Sequence, residues 1–273
     1  MKFILLLGCI ANLSIANPVH AEQLPQWELG FALGALYGPD YRGANESRGY
    51  VVPLPYFIYR SNALNVDKNG VRGQLYGFGR STLVISAAGG IPVRSSQNQT
   101  RAGMPNLDPT IEVGPSLETR LWRNTSGAVL TFNLPLRAAI ASNLAHAKAI
   151  GWVFAPQLNL AITNMSKLGD IDINVGPLYT SRRYNEYYYG VATDFATTDR
   201  PAYQAHGGYS GSHITLGLSK KVGNAWVGAF VRYDDLTGAT FADSPLVKTR
   251  HSLIVGTGIA YVLTKSKTLV SVP

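Results

Sequence analysis

Residues 27–37 read WELGFALGALY, and their alternation decides what kind of chain this is. The odd positions Trp27, Leu29, Phe31, Leu33, Ala35 and Tyr37 are apolar, while the even ones include Glu28, Gly30, Ala32 and Gly34. Side chains of an extended chain point alternately to opposite faces, so this is one strand of about eleven residues with a single apolar face. The pattern returns along the chain. Ile111, Val113, Leu117 and Leu121 oppose Glu112, Ser116, Glu118 and Arg120, and Leu130, Phe132, Leu134 and Leu136 oppose Thr131, Asn133 and Arg137. A third run sets Ile150, Trp152, Phe154, Leu158 and Leu160 against Gly151, Gln157 and Asn159. A fourth sets Ile171, Ile173, Val175 and Tyr179 against Asp170, Asp172 and Asn174.

Weaker versions at 49–60, 63–77, 81–91, 210–219, 224–233 and 251–263 bring the count to about eleven segments. Short polar turns at 123–127, 166–169 and 220–224 join several of them as hairpins, and longer connectors fall at 38–48, 92–109, 182–208 and 234–248. No amphipathic helix of useful length competes. A soluble sandwich and a membrane barrel both use one-faced strands, and length separates them. Crossing a bilayer at a tilt takes about nine to eleven residues, against about five or six in a typical soluble strand. The fold expected is all-β, a closed antiparallel transmembrane β-barrel with the charged minority face in the lumen.

A barrel with both chain ends on one side has an even number of strands, so one of the visible segments hides a partner. The turn Asp67-Lys68-Asn69-Gly70 divides 63–77, and the tail 265–273 offers another edge; twelve strands are expected, with ten as the alternative. Trp27, Tyr37, Tyr56, Tyr59, Trp122, Trp152 and Tyr261 fall near strand ends, where aromatic girdles form. In residues 49–60, Pro53 and Pro55 lie two apart and so withhold two N–H groups from one edge, which predicts a weakened seam.

The first 21 residues carry one lysine, Lys2, an apolar run beginning at Phe3, and the small-residue ending Val19-His20-Ala21, which reads as a signal peptide cleaved after Ala21, with the barrel over 22–273. Cys9, the one cysteine, ends a lipoprotein-like Leu6-Leu7-Gly8-Cys9 but sits too close to Lys2 for a full apolar region, so it leaves with the signal. The mature chain then holds no cysteine, which excludes disulfides and thiolate metal sites. The formal charge of +8, or +7 without Lys2, is spread rather than gathered, and no nucleic-acid footprint results.

The richest catalytic constellation is Asp199, His206, Ser210, Ser212 and His213. A nucleophilic serine needs a histidine within hydrogen-bond reach and a third group to orient it. Neighbours in a strand point to opposite faces, so Ser212 and His213 do not pair, and glycines 207, 208 and 211 surround the remaining pair His206 and Ser210. His146 and His251 are isolated, Asp170 with Asp172 reads as lumen charge, and no metal spacing, phosphate loop or dinucleotide fingerprint occurs. No catalytic, cofactor or metal site is assigned.

Four blocks in order, GPDYRGANESRGYVVPLPYFIYR (38–60), LNVDKNGVRGQLYG (64–77), TDRPAYQAHGGYSGSHITLGLS (198–219) and DDLTGATFADSPLV (234–247), resemble the MltA-interacting protein / OmpV family of Gram-negative outer-membrane proteins. The resemblance implies an outer-membrane barrel embedded in lipid, acting as a non-enzymatic scaffold that brings a lytic murein transglycosylase together with a bifunctional penicillin-binding protein. A small-solute channel or an adhesin is the alternative it implies, and a lipid hydrolase is less favoured. One departure stands out, because barrels of this class end on an aromatic residue, whereas here the chain continues past Tyr261 and Leu263 to Pro273.

Overall fold

The computed structural model describes residues 23–60, 64–67, 70–143, 145–163 and 169–271. The signal-peptide reading and Cys9 lie outside these residues. The strands are β1 (Gln23–Pro25), β2 (Trp27–Pro39), β3 (Ser47–Arg60), β4 (Leu64–Asp67), β5 (Gly70–Phe78), β6 (Ser81–Gly90), β7 (Thr110–Arg123), β8 (Ala128–Ser142), β9 (Ala147–Phe154) and β10 (Gln157–Ile162). They continue with β11 (Asp170–Thr180), a short helix α1 (Arg182–Tyr189), β12 (Gly208–Val222), β13 (Ala225–Asp235), β14 (His251–Lys265) and β15 (Leu269–Ser271).

Antiparallel pairing runs from β2 through β3, β4, β5, β6, β7 and β8 to β10, then through β11, β12, β13 and β14 back to β2. Both β9 and β10 lie between β8 and β11, so they are two halves of one strand broken at Ala155-Pro156. Among the described residues the ring therefore holds twelve strands, counting β9 with β10 as one. The twelfth comes from the Asp67–Gly70 turn, where β4 pairs with β5. The tail does something else: β15 pairs with β1 in a separate two-stranded sheet, which ties the described chain ends together beneath the short-turn end.

Strand length follows the membrane requirement, with β2 at 13 residues, β7 at 14 and β8, β12 and β14 at 15. The apolar face points outward as expected, with Phe31 56%, Ile111 61%, Leu136 48%, Ile214 46% and Ile259 48% exposed on the outside of the wall. Glu112 and His213 face in and are buried. Tyr37, Trp122, Trp152 and Tyr261 stand exposed near strand ends as girdle residues, whereas Trp27 is half-buried. Tyr56 is a correction: it shares the parity of Arg48, Tyr50 and Val52, all half-buried, and so faces the lumen.

Ile150 is a second correction. Gly151 adopts φ 127° at a register shift in the β8–β9 ladder, and the extra residue reverses the alternation. Ile150 thereby turns inward, is 1% exposed, and packs with Ala139, Val153 and Leu178. The helix α1 was likewise absent from the sequence reading. Its eight residues are too few to show a 3.6-residue period against a background of tyrosines, and Ser181 caps it by accepting from the Tyr184 N–H at 3.3 Å.

The prolines of β3 settle on the opposite edge from a weakened β2 ladder. Pairing of β2 with β3 runs in register from Trp27↔Tyr59 to Pro39↔Ser47, with Leu33↔Pro53 and Phe31↔Pro55 inside it. Proline has no N–H to exchange, so these are the non-hydrogen-bonded pairs, and the bonds are made at Val52↔Gly34, Leu54↔Ala32 and Tyr56↔Gly30. The proline nitrogens point away from β2, towards β4, where among the described residues β3 pairs at Tyr59 and Arg60. The seam exists, but beside β4. Residue-resolved hydrogen exchange should find the Tyr50, Val52 and Leu54 amides protected and those of Gly49 and Val51 exchanging fast; uniform protection along β3 contradicts this register.

Candidate functional site

At the end opposite β1 and β15, the long connectors fold inward rather than standing free. Residues 40–46, 91–109, 181–207 and 236–250 close on a shared apolar core of Tyr41, Val93, Leu107, Tyr189, Leu236 and Phe241. Phe241 is fully buried and stacks on Tyr189, with ring centroids 3.7 Å apart and planes 8° from parallel. Hydrogen bonds complete the plug: Tyr41 donates to the Leu246 carbonyl at 2.9 Å, Ser244 to the Tyr189 carbonyl at 2.7 Å, and Tyr189 to the Arg42 carbonyl at 3.0 Å. Burial pushes the Tyr187 phenol up to about 12 and that of Tyr189 higher still, so both stay neutral. Burial also lowers the Arg101 pKa; its guanidinium donates to the carbonyls of Tyr188 and Pro105.

Two ionic clusters pin this plug to the wall. In the first, Asp234 of β13 accepts from Arg42 of the 40–46 connector at 2.8 Å and from Arg232 at 2.8 Å through each oxygen. Gly211, at φ 91°, makes room for it, since a Cβ there would sit 3.0 Å from Arg42 Nη2. In the second, Glu112 of β7 accepts from Arg137 of β8 at 3.0 Å and from the Tyr184 hydroxyl of α1 at 3.1 Å, and Arg137 also donates to Ser86 at 3.3 Å. Each cluster joins wall to connector. The Asp234 carboxylate is fully buried, a placement that only such paired donors make tolerable.

Below and beside the plug the lumen keeps two cavities that share Arg137 and Arg232. The upper one, about 440 Å³, is lined by Leu36, Arg42, Tyr50, Phe230, Asp234 and Ile254 among others. The lower one, about 300 Å³, is polar, with Glu118, Asn133, Asn159, Asn174 and His213 on its walls. His213 sits directly across from Asp234 in the β12–β13 ladder.

The candidate catalytic residues are dispersed. Ser210 is buried and shares a hydrogen bond with Thr180 beside Asn185, while the His206 side chain is exposed and only its backbone carbonyl is used, accepting from Asn185 at 2.7 Å and Thr240 at 3.0 Å. Asp199 is exposed in the connector, and Ser212 shares the outward parity of Ile214 while His213 faces in. His251 contacts the Tyr233 hydroxyl at 2.8 Å on the outside, and His146 is exposed in a turn. Among the described residues no group of three or more His, Cys, Asp or Glu could hold a metal ion. Sequence reasoning missed Arg42, Asp234, Tyr184, Tyr189 and Phe241, because a connector folded into a lumen has no periodicity to announce it. The one available signal was Asp234 on the inward parity of a membrane strand.

Replacing Asp234 by Asn removes the charge that two guanidiniums share. It should cost about 3–5 kcal/mol, as for breaking other buried pairs, and fall on the plug rather than the ring. Limited proteolysis should then cut within 236–250 while heat-modifiable migration of the barrel persists; unchanged protease resistance contradicts the pinning role.

The family model described as MltA-interacting protein MipA matches residues 31–263. Outer membrane protein Omp26La of Vibrio anguillarum is 22% identical over 210 residues, covering 75% of this chain and 76% of that protein. Outer membrane protein OmpV of Vibrio cholerae is 22% identical over 212 residues with the same coverage. Among solved structures, an active-site mutant of outer membrane phospholipase A from Escherichia coli aligns over 90% of this chain and 93% of that one, at 12% identity and a TM-score of 0.37. A family match from the first barrel strand to the last, on a closed ring with an apolar exterior and a plugged lumen, has one meaning: this chain belongs to the MltA-interacting protein family and is an outer-membrane β-barrel protein.

Proposed function

We propose that this barrel is a non-enzymatic scaffold, which holds a murein-cleaving transglycosylase and a murein-synthesising penicillin-binding protein at the periplasmic face of the outer membrane. The observation that carries the reading is the asymmetry of the two ends. In outer-membrane barrels short turns face the periplasm and long connectors face outside. Here the outside connectors are spent on a cored plug, while the periplasmic end keeps short turns and adds the β1–β15 sheet. That sheet lies outside the ring, where a periplasmic partner reaches it, and the family description names interaction with MltA as the family's trait.

A small-solute channel is the second reading, and two lumen cavities that share Arg137 and Arg232, the lower one polar, favour it. The plug works against steady conduction. Two measurements separate the readings. Affinity capture from solubilised envelopes should recover a murein hydrolase and a murein synthase on the wild-type barrel, and much less of both after deletion of 268–273, which removes β15. Planar-bilayer recordings of the wild type should be silent. Capture of neither enzyme, together with steady conductance, replaces the scaffold by the channel.

A further inference from the structure

On the short-turn side, the edge where β6 meets β7 ends in a cluster of cations. Arg80 stands in the turn between β5 and β6, and its carbonyl accepts from the Arg120 N–H of β7 at 2.9 Å, which sets the two residues side by side. At the next residue the β7–β8 ladder shifts register, from Arg120↔Thr131 to Trp122↔Leu130, so Leu121 is an inserted residue. The bulge re-aims the strand end. Trp122 falls opposite Leu130, which shares the outward parity of Leu136, and Leu121 beside it is exposed as well. Arg123 follows at the last position of β7.

Arg80, Arg120, Leu121, Trp122 and Arg123 line one cavity of about 330 Å³, with three guanidiniums and no carboxylate in its wall. All three arginines are exposed, and none of their side chains makes a hydrogen bond or ion pair with a described residue. The acid of β7 nearest to them, Glu118, lines the lower lumen cavity instead. The lumen arginines Arg42, Arg137 and Arg232, by contrast, each have a carboxylate. Like charges gathered in one cavity repel until an anion joins them. A guanidinium fork is matched to phosphate, which it binds through two parallel N–H groups.

The position in the wall says where that phosphate comes from. Short turns of an outer-membrane barrel face the periplasm, so this rim meets the glycerophospholipid leaflet. Tyr76 and Phe78, just before the Arg80 turn, stand exposed with ring centroids 6.0 Å apart, and together with Trp122 they mark the membrane–water boundary. The rings and Leu121 lie at that boundary and the guanidiniums at the strand ends and turn. A lipid presents its acyl chains and its head group in the same order.

We infer that this cavity binds an anionic glycerophospholipid of the periplasmic leaflet, its phosphate among Arg80, Arg120 and Arg123 and the start of its acyl chains against Leu121 and Trp122. A zwitterionic lipid offers the same phosphate but brings an ammonium into a cavity that already holds three cations, so the site discriminates by net charge. It needs only the ring and its orientation, and so stands apart from the scaffold reading.

Phosphatidylglycerol and phosphatidylethanolamine with identical acyl chains, titrated against the full barrel in detergent micelles by native mass spectrometry, test the chemistry without any substitution. Phosphatidylglycerol should bind saturably and about five-fold or more tightly than the zwitterionic lipid, the scale of one charge contact at a membrane surface; equal binding overturns the site. The triple variant Arg80→Gln/Arg120→Gln/Arg123→Gln should abolish the preference. Lys267→Gln, which neutralises an exposed cation on the same rim outside the cavity, should preserve it. Loss of the preference in both variants assigns it to diffuse rim charge and overturns the site. Free sn-glycerol 1-phosphate in molar excess should leave phosphatidylglycerol bound, and full displacement makes the ligand a phosphate rather than a lipid. If the triple variant does not assemble, Arg123→Gln at the strand end carries the same test, with an expected loss of about five-fold.

Discussion

Lipid offers the backbone no hydrogen-bond partner, and most of this structure follows from that constraint. Each N–H and C=O at membrane depth must find a partner within the protein or line a wet cavity. The ring from β2 round to β14 and back meets the demand almost everywhere by antiparallel pairing. Along β3 the prolines turn their missing donors away from the β2 ladder, and Tyr50 of the same strand lines the upper cavity. Closure and the placing of the prolines obey the same rule.

The plug obeys a different economy. Its residues come from connectors that have no strand pairing to order them, so they are ordered by burial of Tyr189, Phe241 and their neighbours and by two ionic clusters on the wall. Burying Asp234 and Glu112 costs desolvation, which the fork of Arg42 with Arg232 and the pair of Arg137 with Tyr184 offset. These groups add orientation more than net stability: a charged connector can seat in only one way when its counter-charge is fixed to a strand.

Legibility in the sequence tracked periodicity. Long alternating runs such as 27–37 and 128–140 were readable because a strand in lipid repeats every two residues and its outer face must be apolar. The strand count was readable through parity and the Asp67–Gly70 turn. Ile150 and Tyr56 were misplaced for opposite reasons: a single inserted residue at Gly151 reverses every side chain upstream, and aromatic content alone does not say which face a tyrosine takes. The polar cluster around His206 and Ser210 looked chemical in sequence, yet the fold exposes one ring and buries the other hydroxyl against Thr180.

The sequence by itself determined an all-β membrane barrel, its strand length, its charged interior and its twelve-strand parity, because these are local or counting properties of the chain. Tertiary structure alone decided which side of β3 the prolines leave open, how 40–46, 181–207 and 236–250 fold into the mouth, and that Arg42 and Arg232 meet over one Asp234. These are relations between residues far apart in the chain, such as Tyr41 and Leu246, 205 positions from one another. No periodicity encodes them, since they arise only once the ring has closed and brought its connectors face to face.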